Sequence, residues 1–280
     1  MSIQYGVQRY ALTRPWARRV GQLFSQPGST ALAEDGVAEL VGRELARVAQ
    51  VYGEAGGVPE AERALARAYG HHVRHGRLIA EFDTGLVRAL AHTRLPSNLP
   101  DTLTLPAEAF FLQVTGEASG GAFIRHRTDA GQLDLVLVQA AFSGQGTNWW
   151  QVPEPLWTLT VSYPGELAPQ LDGVPAEWRP LLEAVLNGFA MMTQPKVTLE
   201  PVWEAGSPPE WVAAAGHPSC PKSRQKGRSA LLKAGFIEVT RCQVPELPML
   251  DEEVTSAGYW RRQALGDDKS RSRLVWVAPR

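Results

Sequence analysis

A chain of 280 residues with 44% hydrophobic and 20% charged content has the composition of a folded globular protein, which excludes wholesale disorder. It has no apolar run of the ~20 residues that a membrane-spanning helix needs, and its basic amino terminus lacks the continuous apolar core of a secretory leader. The formal net charge of −1 is uneven: residues 217 to 280 hold 12 Lys/Arg against 7 Asp/Glu, a net of +5, which leaves the rest of the chain at −6.

Pro15 to Phe24 reads as a short amphipathic helix with proline in its first turn and Trp16, Val20 and Phe24 at four-residue spacing. Val37, Leu40, Val41, Leu45, Val48 and Tyr52 recur at helical intervals and predict a second helix that ends before Pro59. Pro59 with Glu60 and Glu62 opens another, carrying Leu65, Ala68 and Tyr69 until Gly70 weakens it. A short helix follows Asp83 or Thr84 and stops before Pro96. His71, His72 and His75 form a cluster beside Arg67, Arg74 and Arg77 that reads as a polar surface, since no cysteine or placed carboxylate completes a metal site.

Beyond Pro96 the period changes to that of strands. Ala109 to Val114, Ala122 to Arg127, a near-continuous apolar strand from Leu133 to Phe142 that reads as central, and Trp157 to Tyr163 form an antiparallel meander. Arg125, His126 and Arg127 fall on an edge-like strand and are candidates for anion contact, although the solvent face of a hairpin accounts for them more simply. Leu181 to Met192 is an amphipathic helix suited to covering one sheet face. Residues 206 to 222, rich in Pro, Gly, Ala and Ser, read as a linker, with room for a helical turn at Glu210 to Ala214.

After it come Lys222, Arg224, Lys226 and Arg228, then a strand from Phe236 to Arg241. Two final β-prone segments, Tyr259 to Ala264 and Arg273 to Ala278, flank a glycine-bearing connection and read as a closing hairpin. Strand alternation places Trp260 and Arg262 on one face and Tyr259, Arg261 and Gln263 on the other. Guanidinium groups beside aromatic rings suit a polyanion, because the former pair with phosphate while the latter stack. The binding candidates are therefore Trp260, Arg261, Arg262, Arg273, Lys226, Arg228, Arg125 and Arg127.

No glycine-rich phosphate loop, Gly-x-Ser-x-Gly elbow, His-Glu-x-x-His or dinucleotide fingerprint is present, so no cofactor is expected and no catalytic set can be nominated. His217, Cys220 and Cys242 supply three of the four ligands that a closed zinc site needs, so no metal is expected. Two cysteines do not make a disulfide framework in a chain of this size, and a cytoplasmic setting suits them.

The terminal block Gly258-Tyr259-Trp260-Arg261-Arg262-Gln263, followed by Gly266 and then Arg273-Leu274-Val275-Trp276-Val277-Ala278-Pro279, resembles that of the AcrVA2-like family of phage and mobile-element proteins, named for a type V-A anti-CRISPR protein. Leu105-Pro106 before Phe110-Phe111 resembles the family's lead into its first strand. The chain departs from the family where Tyr259 replaces a histidine and where Asp251-Glu252-Glu253 replaces His/Arg residues, and phenol cannot replace imidazole as a base near neutral pH. The resemblance implies an anti-CRISPR-like role, contact with RNA or with a nucleic-acid-associated protein, and for the named relative recognition of a nascent CRISPR effector followed by loss of its messenger RNA.

The expected fold class is α+β: an N-terminal helical layer (1 to 100) packed on a largely antiparallel sheet with a covering helix (101 to 205), then the linker (206 to 222) and a basic β segment (223 to 280) ending in the hairpin. A non-enzymatic binding protein is the first functional reading. An RNase-like toxin using His126, His217 or Tyr259 for acid–base chemistry is the second, and a protein-interaction module without nucleic acid is the third. Membrane contact is not expected.

Overall fold

The computed structural model describes residues 6–24, 34–52, 57–82, 84–115, 120–139, 155–245, 254–265 and 271–280. Helices α1 (Gln8–Thr13), α2 (Pro15–Phe24), α3 (Glu34–Tyr52) and α4 (Glu60–Arg74) precede strand β1 (Ile79–Phe82) and helix α5 (Thr84–Ala91). The meander comprises β2 (Ala109–Val114), β3 (Gly120–Arg127), β4 (Gln132–Gln139) and β5 (Leu156–Ser162). A short α6 (Leu167–Gln170) leads to α7 (Arg179–Met192) and β6 (Thr198–Trp203). Helices α8 (Pro209–Ala215) and α9 (Pro221–Ala234) follow, then β7 (Glu238–Gln243) and the hairpin strands β8 (Tyr259–Leu265) and β9 (Arg271–Val277).

The α+β architecture is as expected. A seven-stranded sheet runs in the order β5-β4-β3-β2-β1-β7-β6, and β8 and β9 pair separately. Its neighbours are antiparallel except at β1, which pairs in parallel with both β2 and β7. Helices cover both faces. Because side chains alternate, Phe110, Leu112, Ala122 and Ile124 join α5 and α7 in one core, whereas Phe111 and Phe123 join α2, α3 and α4 in a second. Within residues 181 to 192 of α7 only Glu183 is exposed, so this helix is buried on almost every side.

Four details depart from the expectations. Gly70 does not weaken α4; it lies where a Cβ would stand 3.2 Å from both Phe24 and Val41, so the missing side chain lets three helices close together. His71 and His72 are buried rather than on a polar surface, because the apolar stripe of α4 turns toward the sheet. β3 is an interior strand, not an edge, since β2 and β4 flank it. β4 is the second strand from the β5 edge rather than the centre of the sheet, and Asp134 and Val136 on one of its faces are only half-buried.

Within 206 to 222 lie α8 and the first residues of α9, and β7 enters the main sheet beside β1. Gly227 sets the approach of the two helices: a Cβ there would stand 2.4 Å from the Ala215 nitrogen and 2.8 Å from the Trp211 carbonyl oxygen. Gly235, at φ 89°, then ends α9 in the left-handed conformation. Among the described residues no helix is long and apolar enough to cross a membrane, no group of three or more His, Cys, Asp or Glu could hold a metal, and no disulfide joins Cys220 and Cys242.

Candidate binding surface on the terminal hairpin

The hairpin begins at a glycine for a steric reason. A Cβ on Gly258 would lie 2.6 Å from Thr93 Oγ1 and 2.8 Å from Pro279 Cδ, so only a bare backbone fits against the residues that follow α5. Gly258 N–H donates to His92 O at 2.9 Å, and its carbonyl accepts from Arg94 N–H at 2.9 Å. At the same base of the hairpin Ser256 and Arg280 exchange backbone hydrogen bonds of 2.7 and 3.0 Å.

From this base the register sets Trp260 opposite Trp276, Arg262 opposite Leu274 and Ala264 opposite Ser272. This face docks. Both indoles pack on the core of α5 and α7, where Trp260 Nε1–H donates to Asn187 Oδ1 at 2.8 Å and Trp276 Nε1–H to Thr93 Oγ1 at 3.1 Å. Asn187 is fully buried; its Nδ2 donates to Leu90 O and Thr93 O at 3.3 and 2.8 Å, so one amide ties α7, the end of α5 and the hairpin together. Arg262 shares the docking face but is exposed at its outer end, 3.4 Å from Ser272 Oγ.

The opposite face sets Tyr259 beside Val277, Arg261 beside Val275 and Gln263 beside Arg273. Tyr259 is 48% exposed, and Arg261, Gln263 and Arg273 are exposed as well. Arg273 donates from Nε and Nη2 to Gln263 Oε1 at 3.3 and 3.1 Å, which orients its guanidinium along the sheet without neutralising it. This face therefore presents a phenol, two guanidiniums and two half-buried valines to solvent.

The other candidates lie elsewhere. Lys226 is exposed on α9, together with Lys222 and Arg224. Arg228 is committed within the fold: it pairs bidentately with Glu238 at 2.9 and 2.7 Å and lies 5.7 Å from the centre of the Trp203 ring. Arg125 and Arg127 project from the sheet face that carries Phe123, which is the face opposite the one on which the hairpin docks. Asp134 lies 3.7 Å from Arg125 and 2.9 Å from Arg127 and accepts from Thr160 at 2.8 Å.

The acid–base candidates are likewise separated. His126 is buried and hydrogen-bonded to the Tyr163 hydroxyl; burial lowers the imidazole pKa and raises that of the phenol. His217 Nδ1 accepts from the Ser219 and Cys220 amides at 3.3 and 3.2 Å, just before α9. Tyr259 belongs to the hairpin's outer face. The sequence reading missed Asn187 and Thr93, whose partners lie across the fold; the one local sign of the docking geometry was Gly258 before an aromatic strand.

No family model and no curated protein matches the chain. Among solved structures, the crystal structure of AcrVA2 is similar, with a TM-score of 0.45 and 12% sequence identity over 97% of this chain and 94% of that one.

Proposed function

We propose that this chain is a non-enzymatic, anti-CRISPR-like binding protein of mobile elements that contacts RNA through the outer face of its terminal hairpin. The observation that carries the reading is the division of the hairpin into two faces. Trp260 and Trp276 are consumed in docking, which leaves Tyr259, Arg261 and Arg273 exposed as a basic and aromatic surface. Exposed guanidiniums pair with phosphates and a ring beside them offers a stacking platform, a combination that binds single strands with little sequence preference. The +5 charge of residues 217 to 280 would draw a polyanion to this end, and the exposed Lys226 on α9 would add to that field. The likeness of the terminal block to the AcrVA2-like family supports the anti-CRISPR-like assignment.

The test is the salt dependence of single-stranded RNA binding by the full chain and by Arg261→Ala/Arg273→Ala. Each phosphate contact removed should flatten the log–log slope by about 0.7. An unchanged affinity and slope would remove this surface from RNA binding. Val275 and Val277 on the same face favour a second reading, in which the surface takes a polypeptide segment of a nucleic-acid-associated protein such as a nascent CRISPR effector. A pull-down that survives nuclease treatment and is lost in the same double variant would select it.

A further inference from the structure

On the sheet face opposite the hairpin, α4 leaves an opening of about 330 Å³ over β3, β4 and β5. Its cause is in the sequence. Ala64 and Ala68, one turn apart on α4, extend only methyl groups toward the sheet, where larger side chains would meet Phe123 and Val136. These four residues make an apolar floor and wall.

Polar groups converge on the same space. Arg67 and Glu60 of α4 form its outer lip, paired at 2.8 Å, and Arg63 also approaches Glu60 at 3.9 Å. Arg125 enters from β3, with Asp134 and Thr158 beside it on the neighbouring strands. Asp134 is divided between Arg125 and Arg127, and the Asp129 carboxylate acts on Arg125 at longer range. His71, more than nine-tenths buried, borders the opening, and among the described residues its ring makes no hydrogen bond. Burial, reinforced by Arg74 and His75, lowers its pKa to about 4, so at neutral pH it is an uncharged imidazole that can donate one hydrogen bond.

Two guanidiniums, of Arg67 and Arg125, and the neutral imidazole of His71 face this opening as donors beside the carboxylates of Glu60 and Asp134; its floor is apolar, and its volume lies at the small end of ligand pockets. We infer that the cleft between α4 and strands β3 to β5 is a binding site for a small organic carboxylate with an apolar body. Arg125, supported by Arg67 across the mouth, takes the carboxylate in a charge-assisted pair. The imidazole of His71 supplies a neutral donor, and the body lies on Ala64, Ala68, Phe123 and Val136. Asp134 holds Arg125 between strands and disfavours dianions by its own charge.

The probe is 3-phenylpropionate, titrated into the full chain by ligand-observed NMR, with 3-phenylpropanamide as an isosteric neutral control and 3-phenylpropan-1-amine as a cationic control of the same chain length. Saturable binding of the carboxylate, at least about tenfold tighter than either control, is expected. Arg125→Gln should weaken it by about tenfold or more, as befits loss of a charge-assisted pair. Ala64→Met, which fills the opening from a helical position without touching an ion pair, should abolish it while the circular dichroism spectrum is kept. If Arg125→Gln does not fold, Ala64→Met decides. Equal binding of the amide, no saturation by about 10 mM, or undiminished binding in folded Ala64→Met would each overturn the assignment. Arg261→Ala/Arg273→Ala should bind the carboxylate as wild type does, so this result stands or falls separately from RNA binding at the hairpin.

Discussion

The Trp260 indole donates its proton to Asn187 Oδ1 at 2.8 Å, and the same amide donates to Thr93 O at 2.8 Å. A single buried side chain thus fastens the terminal hairpin to the helix that covers the sheet. Asn187→Ala would leave the Trp260 indole N–H and the Thr93 carbonyl without that partner, while Leu90 O keeps the Thr93 N–H at 3.0 Å; the loss is about 2 to 3 kcal/mol for buried groups of this kind. The expected outcome is a lower urea midpoint together with earlier proteolytic release of residues 254 to 280. Wild-type protection of the hairpin amides in hydrogen exchange would refute the anchoring role.

Glu62 lies inside the N-terminal layer, where its Oε1 stands 3.0 Å from Arg14 Nε and accepts from Trp16 Nε1–H at 2.6 Å, with both charged side chains 1% exposed. Removing one member of a buried ion pair strands the other. Glu62→Met and Arg14→Met are each expected to destabilise by about 3 to 5 kcal/mol, whereas Arg14→Met/Glu62→Met should recover part of that loss. Chemical denaturation of the two single variants and the double variant measures the coupling. Additive losses would show that the pair is not energetically linked.

Two helical glycines make opposite predictions. Gly42 in α3 is exposed, and a Cβ there meets nothing within 4 Å, so Gly42→Ala should stabilise by about 0.5 to 1 kcal/mol through helix propensity. At Gly227 the added carbon would strike the α8 backbone at 2.4 Å, so Gly227→Ala should separate α8 from α9 and destabilise by about 1 to 3 kcal/mol. Thermal melts of the pair should move in opposite directions, and a shift of the same sign in both would contradict the packing at Gly227.

Burial lowers the pKa of His72 to about 3, with Arg77 contributing, and that of His71 to about 4. The unfolded chain binds these protons below about pH 6.5 while the folded chain does not, so stability is full above that pH and falls as pH drops toward 4 for His71 and 3 for His72. Each histidine contributes a slope of about 1.4 kcal/mol per pH unit inside its window. His75 and His126, also shifted downward, add in the same sense. His72→Phe, which keeps a ring against Tyr69 and Phe123, should flatten the decline between pH 6.5 and 4.5 measured by urea unfolding. A decline as steep as the wild type's would show that His72 is not the source.

Much of the architecture was readable locally. The repeat of Val37, Val41, Leu45 and Val48 predicts α3 because a helix buries one stripe, and the meander of β2 to β5 follows from alternating residues between turns. β1 was not readable: its four residues are too few to show a period, and its neighbours β2 and β7 come from distant parts of the chain. Arg228 and Arg261 look alike in sequence; the first meets Glu238 of a neighbouring strand, whereas the second projects from a face that nothing in the described fold covers.

By itself the sequence determined the class of the fold, the covering helix, the basic carboxyl-terminal quarter and the two-faced terminal hairpin, because periodicity, turn residues and charge are properties of neighbours along the chain. Only the tertiary structure showed that the Trp260 indole packs on the core and donates to Asn187, that Arg228 pairs with Glu238, and that Arg125 and Arg127 stand across the sheet from the hairpin. Those outcomes depend on which side chains meet at long separation, and it is packing that brings Asn187 to Trp260 and Asp134 to Arg127.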